Sequence, residues 1–134
     1  MSSEEYKIKD AAKYTDLSTD AIRFYEKKKL IQPSFRGENN YRYYDTSTLK
    51  CLIFIKRCRA LNLSLKEIKY LIHLEQEPQS DCFAVNHLLD THLNQIQTKI
   101  IELQKFQTQL QELRQSCSTK TTINHCQILK TLEA

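Results

Sequence analysis

One stretch constrains this chain more than any other. Between Ser80 and Cys126, the residues Leu89, Leu93, Ile96, Ile100, Leu103 and Leu110 recur at steps built from three and four, with Leu113 near the end of the track. This spacing predicts one long helix from Cys82 to about Ser116, then a short loop that ends in Cys126. A stripe so narrow asks for a partner helix. Extended by one heptad each way, the track Leu89, Ile96, Leu103, Leu110 reaches Cys82 and Cys117, which therefore share the apolar stripe. Along a single helix these two thiols stand about 50 Å apart, too far to share a ligand. Antiparallel pairing with a second copy faces Leu89 with Leu110, Leu93 with Phe106, Ile96 with Leu103, and Cys82 with Cys117. The expectation is a symmetric dimer with a thiol site at each end of its coiled coil.

The chain has 134 residues, one glycine and two prolines, enough for one small helical domain plus an extended element. Its charge is unevenly spread. Residues 1–74 hold 15 Lys/Arg against 9 Asp/Glu, whereas residues 75–134 hold 5 against 7. A basic front and a faintly acidic back point to a polyanion-binding module joined to something else. The polar stretch from Met1 to Lys9 does not read as a signal peptide, and the longest apolar run, Leu52 to Ile55, is too short to span a membrane. A cytoplasmic location is expected, where five cysteines favour metal or redox chemistry over structural disulfides.

The front half reads as a chain of short elements. Ile8, Ala11, Ala12 and Leu17 predict a first helix. Ser18 caps a second that runs to about Lys28, and Thr15-Asp16 forms the tight turn between them, a helix-turn-helix. Thr19 stands in the first turn, where such a helix meets base edges. Arg23 and Tyr25 supply phosphate donors, Lys13 joins them from the first helix, and Ala21, Ile22 and Phe24 are expected to pack inward or against the next element. Leu30 to Tyr44 predicts a small wing in which Arg36, Asn40, Tyr41 and Arg42 face a nucleic-acid backbone, while Tyr44 packs on the next helix. Asp45 or Thr46 caps a third helix to about Leu61, with Cys51 and Cys58 as inert thiols. Ser64 and Glu67 form a capping box for a fourth helix, and Glu75 to Gln79 is a hinge. The expected fold is mainly α. A winged helix-turn-helix DNA-binding domain spans 1–75, a hinge 76–79, a dimerisation helix 80–116, and a metal-binding loop and tail 117–134.

Three motifs in this order carry a resemblance: Ala21-Ile22-Arg23-Phe24-Tyr25-Glu26, Arg36 to Tyr44 with its Asn-Tyr-Arg core, and Leu63-Ser64-Leu65-Lys66-Glu67-Ile68. The sequence resembles the MerR family of bacterial transcription regulators over nearly its whole length. Asp16 departs from the glycine many members carry there. Asp81-Cys82, Val85-Asn86, Asp90-Thr91-His92 and the spacing from Cys117 to Cys126-Gln127-Ile128-Leu129 are similar to the cadmium- and lead-responsive CadR/PbrR group. The histidine-rich tail of some cadmium regulators is absent.

That resemblance implies a metal-responsive regulator, not an enzyme, that binds double-stranded promoter DNA as a homodimer. It further implies that the dimer distorts widely spaced promoter elements into alignment for RNA polymerase. With the helix register it implies a metal site of Cys82 from one chain and Cys117 and Cys126 from the other. Three thiolates select a soft ion. Cadmium(II) or lead(II) is the expected effector, with mercury(II) or zinc(II) as alternatives and water, His125 or His92 as candidate fourth donors. His87 and His92 are read as polar groups flanking the helix. A thiol-based redox regulator, with Cys117 and Cys126 forming a disulfide, is the reading from a different class. A small-molecule sensor would need a larger domain after the long helix.

Overall fold

The computed structural model describes residues 5–33, 35–36, 41–117 and 120–134, with side chains outside the description at 35 and 36. The chain divides into two compact units, 1–82 and 83–134. The first opens with strand β1 (Glu5–Lys7) and the paired helices α1 (Ile8–Thr15) and α2 (Thr19–Lys27). Strands β2 (Phe35–Arg36) and β3 (Arg42–Asp45), then helices α3 (Thr46–Ala60) and α4 (Leu65–Glu75), complete it.

Local chemistry explains why the helices start and stop where they do. The turn after α1 passes through Asp16 at φ 57°, a left-handed conformation that Asp tolerates better than most non-glycine residues. The Ser18 hydroxyl then accepts the Ala21 N–H at 3.0 Å to begin α2. Lys56 Nζ, reaching from α3, donates to the Thr15 and Asp16 carbonyls at 3.2 and 3.3 Å and so closes the exposed end of α1. Asp45 caps α3 through the Thr48 N–H, and Ser64 with Glu67 forms the reciprocal capping box of α4.

The sheet is antiparallel in the order β1-β3-β2, with Tyr6 opposite Tyr44, Phe35 opposite Tyr43, and Arg36 opposite Arg42. A strand at Glu5–Lys7 was not expected from the sequence. Side chains alternate across β3, so Tyr44 points inward, where it joins Ile22, Leu49, Leu52, Ile55 and Ile68 as the largest fully buried side chains. Leu30, Ile31 and Leu63 close the edges of this core. Cys58 is buried and Cys51 half-buried. Burial raises both thiols above their ordinary range, and Glu75 adds to the rise at Cys51. Both are thus poor thiolates, as expected.

The second unit is built differently. Helix α5 (Phe83–Gln115) has 33 residues, about 50 Å of rise, and His92 is its one buried residue. Leu93, Leu103 and Leu110 are 61–64% exposed, and Leu89, Ile100 and Phe106 are also open. An open groove of about 770 Å³ runs over Ile100, Leu103, Phe106 and Leu110. After α5 a 3₁₀ turn (Ile123–His125) leads into the short helix α6 (Gln127–Glu133), which returns to α5. The mainly α architecture, a winged helix-turn-helix followed by a long helix, is the one the sequence predicts. No helix among the described residues is long and apolar enough to cross a membrane.

Candidate nucleic-acid interface and metal centre

Two groups of residues carry the chemistry, one in each unit. In the first, Lys13 and Arg23 are exposed, and Thr19 is half-buried in the first turn of α2. Arg23 Nη1 pairs with Asp20 Oδ1 at 3.5 Å across one exposed turn, a weak contact that a phosphate can displace. Tyr25, read from sequence as a phosphate donor, instead faces the core and is 9% exposed. It lies one turn after the buried Ile22, so both fall on one helix face. Phe24, expected to pack inward or against the next element, is 45% exposed for the same geometric reason. Its ring carries Lys28 Nζ at 5.7 Å from the centroid and meets the edge of Tyr25.

On the wing, Tyr41 is exposed, and Lys7 Nζ from β1 sits 5.6 Å from its ring centroid. Arg36 belongs to β2 with its backbone alone described, and Asn40 lies outside the described residues. Arg42 Nε stands 3.0 Å from Glu26 Oε2. Its N–H is not aimed at that oxygen, so charge rather than a directed hydrogen bond holds the pair. Tyr44 donates its hydroxyl to the other Glu26 oxygen at 3.3 Å. Burial and then the Glu26 charge push the Tyr44 phenol up to about 12. Sequence reasoning passed over the contacts of Lys7 and Glu26 and read Lys28 only as a cation complementing the helix dipole. Lys7 and Lys28 are exposed cations on aromatic rings.

In the second unit, Cys117 and Cys126 come together. Their sulfurs are 3.5 Å apart and both residues are half-buried. The 3₁₀ turn makes this possible by folding the chain back, and Cys126 stands where a cap residue stands, directly before α6. The Leu129 N–H lowers the Cys126 thiol below its ordinary range, with help from Cys117 and the Ile128 N–H against an opposing burial effect. Two sulfurs bound to one ion at about 2.3 Å and a tetrahedral angle would be about 3.8 Å apart, so this pair needs little adjustment to share a soft cation.

Cys82 is exposed and directly precedes α5, in the other unit. Among the described residues of one chain, no three His, Cys, Asp or Glu side chains gather at one point. His125 is exposed and its Nδ1 lies 3.0 Å from Thr122 Oγ1. The ring of His87 stacks on Phe83 at 6.1 Å.

A cation-studded helix-turn-helix and wing, set in the same chain as a long helix with an open apolar seam, define a winged helix-turn-helix DNA-binding regulator. The chain belongs to the MerR family: the model described as "MerR HTH family regulatory protein" matches residues 6–74, and the one described as "MerR, DNA binding" matches 49–113. Proteins of this family are regulators, so the chain is not an enzyme. It is 33% identical over 130 residues to the HTH-type transcriptional regulator ZntR of Escherichia coli K12, covering 96% of this chain and 92% of that one. Among solved structures it is similar to the transcription regulator PbrR691 of Ralstonia metallidurans CH34 in complex with lead(II). That match has a TM-score of 0.86 and 38% identity over 95% of this chain and 98% of the other. MerR of Bacillus megaterium MB1 in complex with mercury(II) matches with a TM-score of 0.67 and 29% identity over 92% and 95%.

Proposed function

We propose that this chain is a metal-responsive transcription regulator that binds promoter DNA as a homodimer through Lys13, Thr19, Arg23, Arg36, Asn40, Tyr41 and Arg42. Its effector is a soft divalent ion, lead(II) or cadmium(II), held by Cys82 of one protomer and by Cys117 and Cys126 of the partner subunit. The observation that carries this reading is the 3.5 Å approach of Cys117 Sγ to Cys126 Sγ at the end of a helix whose apolar seam is exposed. Two relatives with solved structures hold lead(II) and mercury(II), and the lead-bound one is the more similar of the two.

The residues present fit such an ion. Thiolates prefer soft cations, and Cys126 is already eased toward its thiolate by the Leu129 and Ile128 N–H groups. Antiparallel pairing of two α5 seams brings the Cys82 of one copy toward the Cys117 of the other and covers side chains worth roughly 1–2 kcal/mol each when buried. When bound, the ion ties two chains together at each end of the paired helices. That tie favours one relative placement of the two DNA-binding units. Distorting promoter DNA for RNA polymerase costs on the order of a few kcal/mol, so a modest preference is enough.

The test is an ultraviolet titration of the reduced protein with lead, cadmium, mercury and zinc, against a thiol competitor, in wild type and Cys82→Ser. Sulfur-to-metal charge-transfer bands at one ion per protomer, lost in the variant, support the three-thiolate site and rank the ions. Undiminished binding in Cys82→Ser overturns it and leaves Cys117 and Cys126 as a local pair.

A further inference from the structure

Glu26 is the one acidic residue between Asp20 and Glu38, in a stretch rich in lysine. It lies in the last turn of α2, it is followed in sequence by Lys27, Lys28 and Lys29, and its side chain is only 13% exposed. A carboxylate near a helix C-terminus faces the negative end of the macrodipole, and a buried one costs free energy unless it is paired. Both of its partners come from one strand. Arg42 and Tyr44 are two residues apart on β3 and therefore share a face, and Glu26 takes one with each oxygen, at 3.0 and 3.3 Å.

The Arg42 Nε is fully buried while its side chain as a whole keeps 35% exposure. The end of the guanidinium, with its forked N–H donors, therefore remains available to an acceptor outside.

We infer that Glu26 is a positioning residue for DNA: it anchors the inner side of Arg42 to the recognition helix, so that the outer nitrogens of Arg42 are held ready for a backbone phosphate. This rests on the proposed DNA-facing role of α2 and β3. It fixes the wing strand and the recognition helix as one contact surface rather than two.

The sign of the effect separates this role from simple charge. Removing a carboxylate near DNA, with no positioning role, tightens binding and steepens its salt dependence. Removing a positioning carboxylate weakens binding and flattens the salt dependence, but only while Arg42 is present. The experiment measures the affinity of the full-length protein for mixed-sequence double-stranded DNA across a salt series, by fluorescence anisotropy. It compares wild type, Glu26→Gln, Arg42→Ala and the double variant, with thermal unfolding followed by circular dichroism. Arg42→Ala is expected to weaken binding about tenfold and to lower the salt slope by about one. Glu26→Gln is expected to lose about threefold or more with a flatter slope, and the double variant to match Arg42→Ala within about twofold.

Tighter binding by Glu26→Gln, or an equal loss with and without Arg42, overturns the inference. If Arg42→Ala itself binds as wild type does, the DNA-facing reading of β3 fails first. Should Glu26→Gln not fold, Tyr44→Phe replaces it, since it releases one carboxylate oxygen and keeps the charge. A loss that disappears in the Arg42→Ala background supports the role, and no loss overturns it.

Discussion

The two units of this chain solve the burial problem in opposite ways. In residues 1–82, Tyr44, Ile22, Leu49, Leu52, Ile55 and Ile68 are fully enclosed by their own chain, although every helix there has at most 15 residues. In residues 83–134, a helix of 33 residues buries one side chain and leaves Leu93, Leu103 and Leu110 open. Short elements that differ in direction can wrap a core, whereas a long straight helix with a narrow stripe has nothing of its own to wrap. The front is finished as a monomer. The back leaves its seam open, the face we propose a second copy covers, and two half-buried thiols stand at its end.

The largest test of that contrast is to charge the seam. Ile96→Glu together with Leu103→Glu would set carboxylates against each other at the middle of the antiparallel pair. Sedimentation is expected to show a monomer, and DNA affinity to fall on the order of 10²–10⁴-fold through lost avidity. Thermal unfolding of the front core should not move. A persisting dimer would mean that the seam is not the interface.

Next in size is a mixing experiment. Cys82→Ser and Cys126→Ser homodimers each lack a complete site, but a heterodimer of the two has one complete site and one emptied of two ligands. Charge-transfer absorbance is expected to be near zero in each homodimer and to rise, on mixing and re-equilibration, toward half the wild-type value per heterodimer. No recovery on mixing would place all the ligands within one chain.

The thiols themselves supply a third comparison. The Leu129 N–H lowers Cys126, whereas burial raises Cys51 and Cys58. Since the thiolate is the nucleophile, iodoacetamide at neutral pH should modify Cys126 at least about tenfold faster than Cys58, as followed by peptide mass spectrometry. Saturating metal should then protect Cys126 and leave the slow reaction of Cys58 unchanged. Equal rates would erase the chemical distinction between the two ends of the chain.

Features whose signal is local were legible in the sequence. The Ser18 cap, the Ser64–Glu67 box and the left-handed Asp16 each depend on residues within four positions and stand as read, and of the two caps offered for α3, Asp45 or Thr46, Asp45 is the one that caps it. The long helix and the exposure of its stripe were legible for a related reason, since heptad spacing is periodic. Strand β1 was not, because three residues of polar sequence become a strand only by pairing with Asp45, Tyr44 and Tyr43 on β3. Helix α6 was missed as well. It has seven residues and its cap position is held by Cys126, a residue type that does not announce a helix start. The exchange of Tyr25 for Phe24 in the core followed helix phase, which hydrophobicity alone misjudged. The Glu26 contacts join residues 16 and 18 positions apart, and no local pattern announces them.

The smallest effect tests how separate the two regions are. Lys29 follows α2 at φ 64°, with the Leu30 N–H donating to the Tyr25 carbonyl at 3.0 Å, a left-handed helix ending that suits glycine. A β-carbon in this conformation costs roughly 1 kcal/mol, and the greater freedom of glycine in the unfolded chain returns part of the gain. Lys29→Gly is therefore expected to raise the unfolding midpoint of the front unit by about 2–5 °C in differential scanning calorimetry. Asp16→Gly should gain less, because Asp16 Oδ2 also accepts Lys56 Nζ at 3.4 Å and that contact would be lost. If the front is complete by itself, Lys29→Gly leaves metal stoichiometry and metal affinity at wild-type values. A shift in metal affinity that tracks the gain in stability would show instead that the front core and the thiol end unfold as one cooperative body.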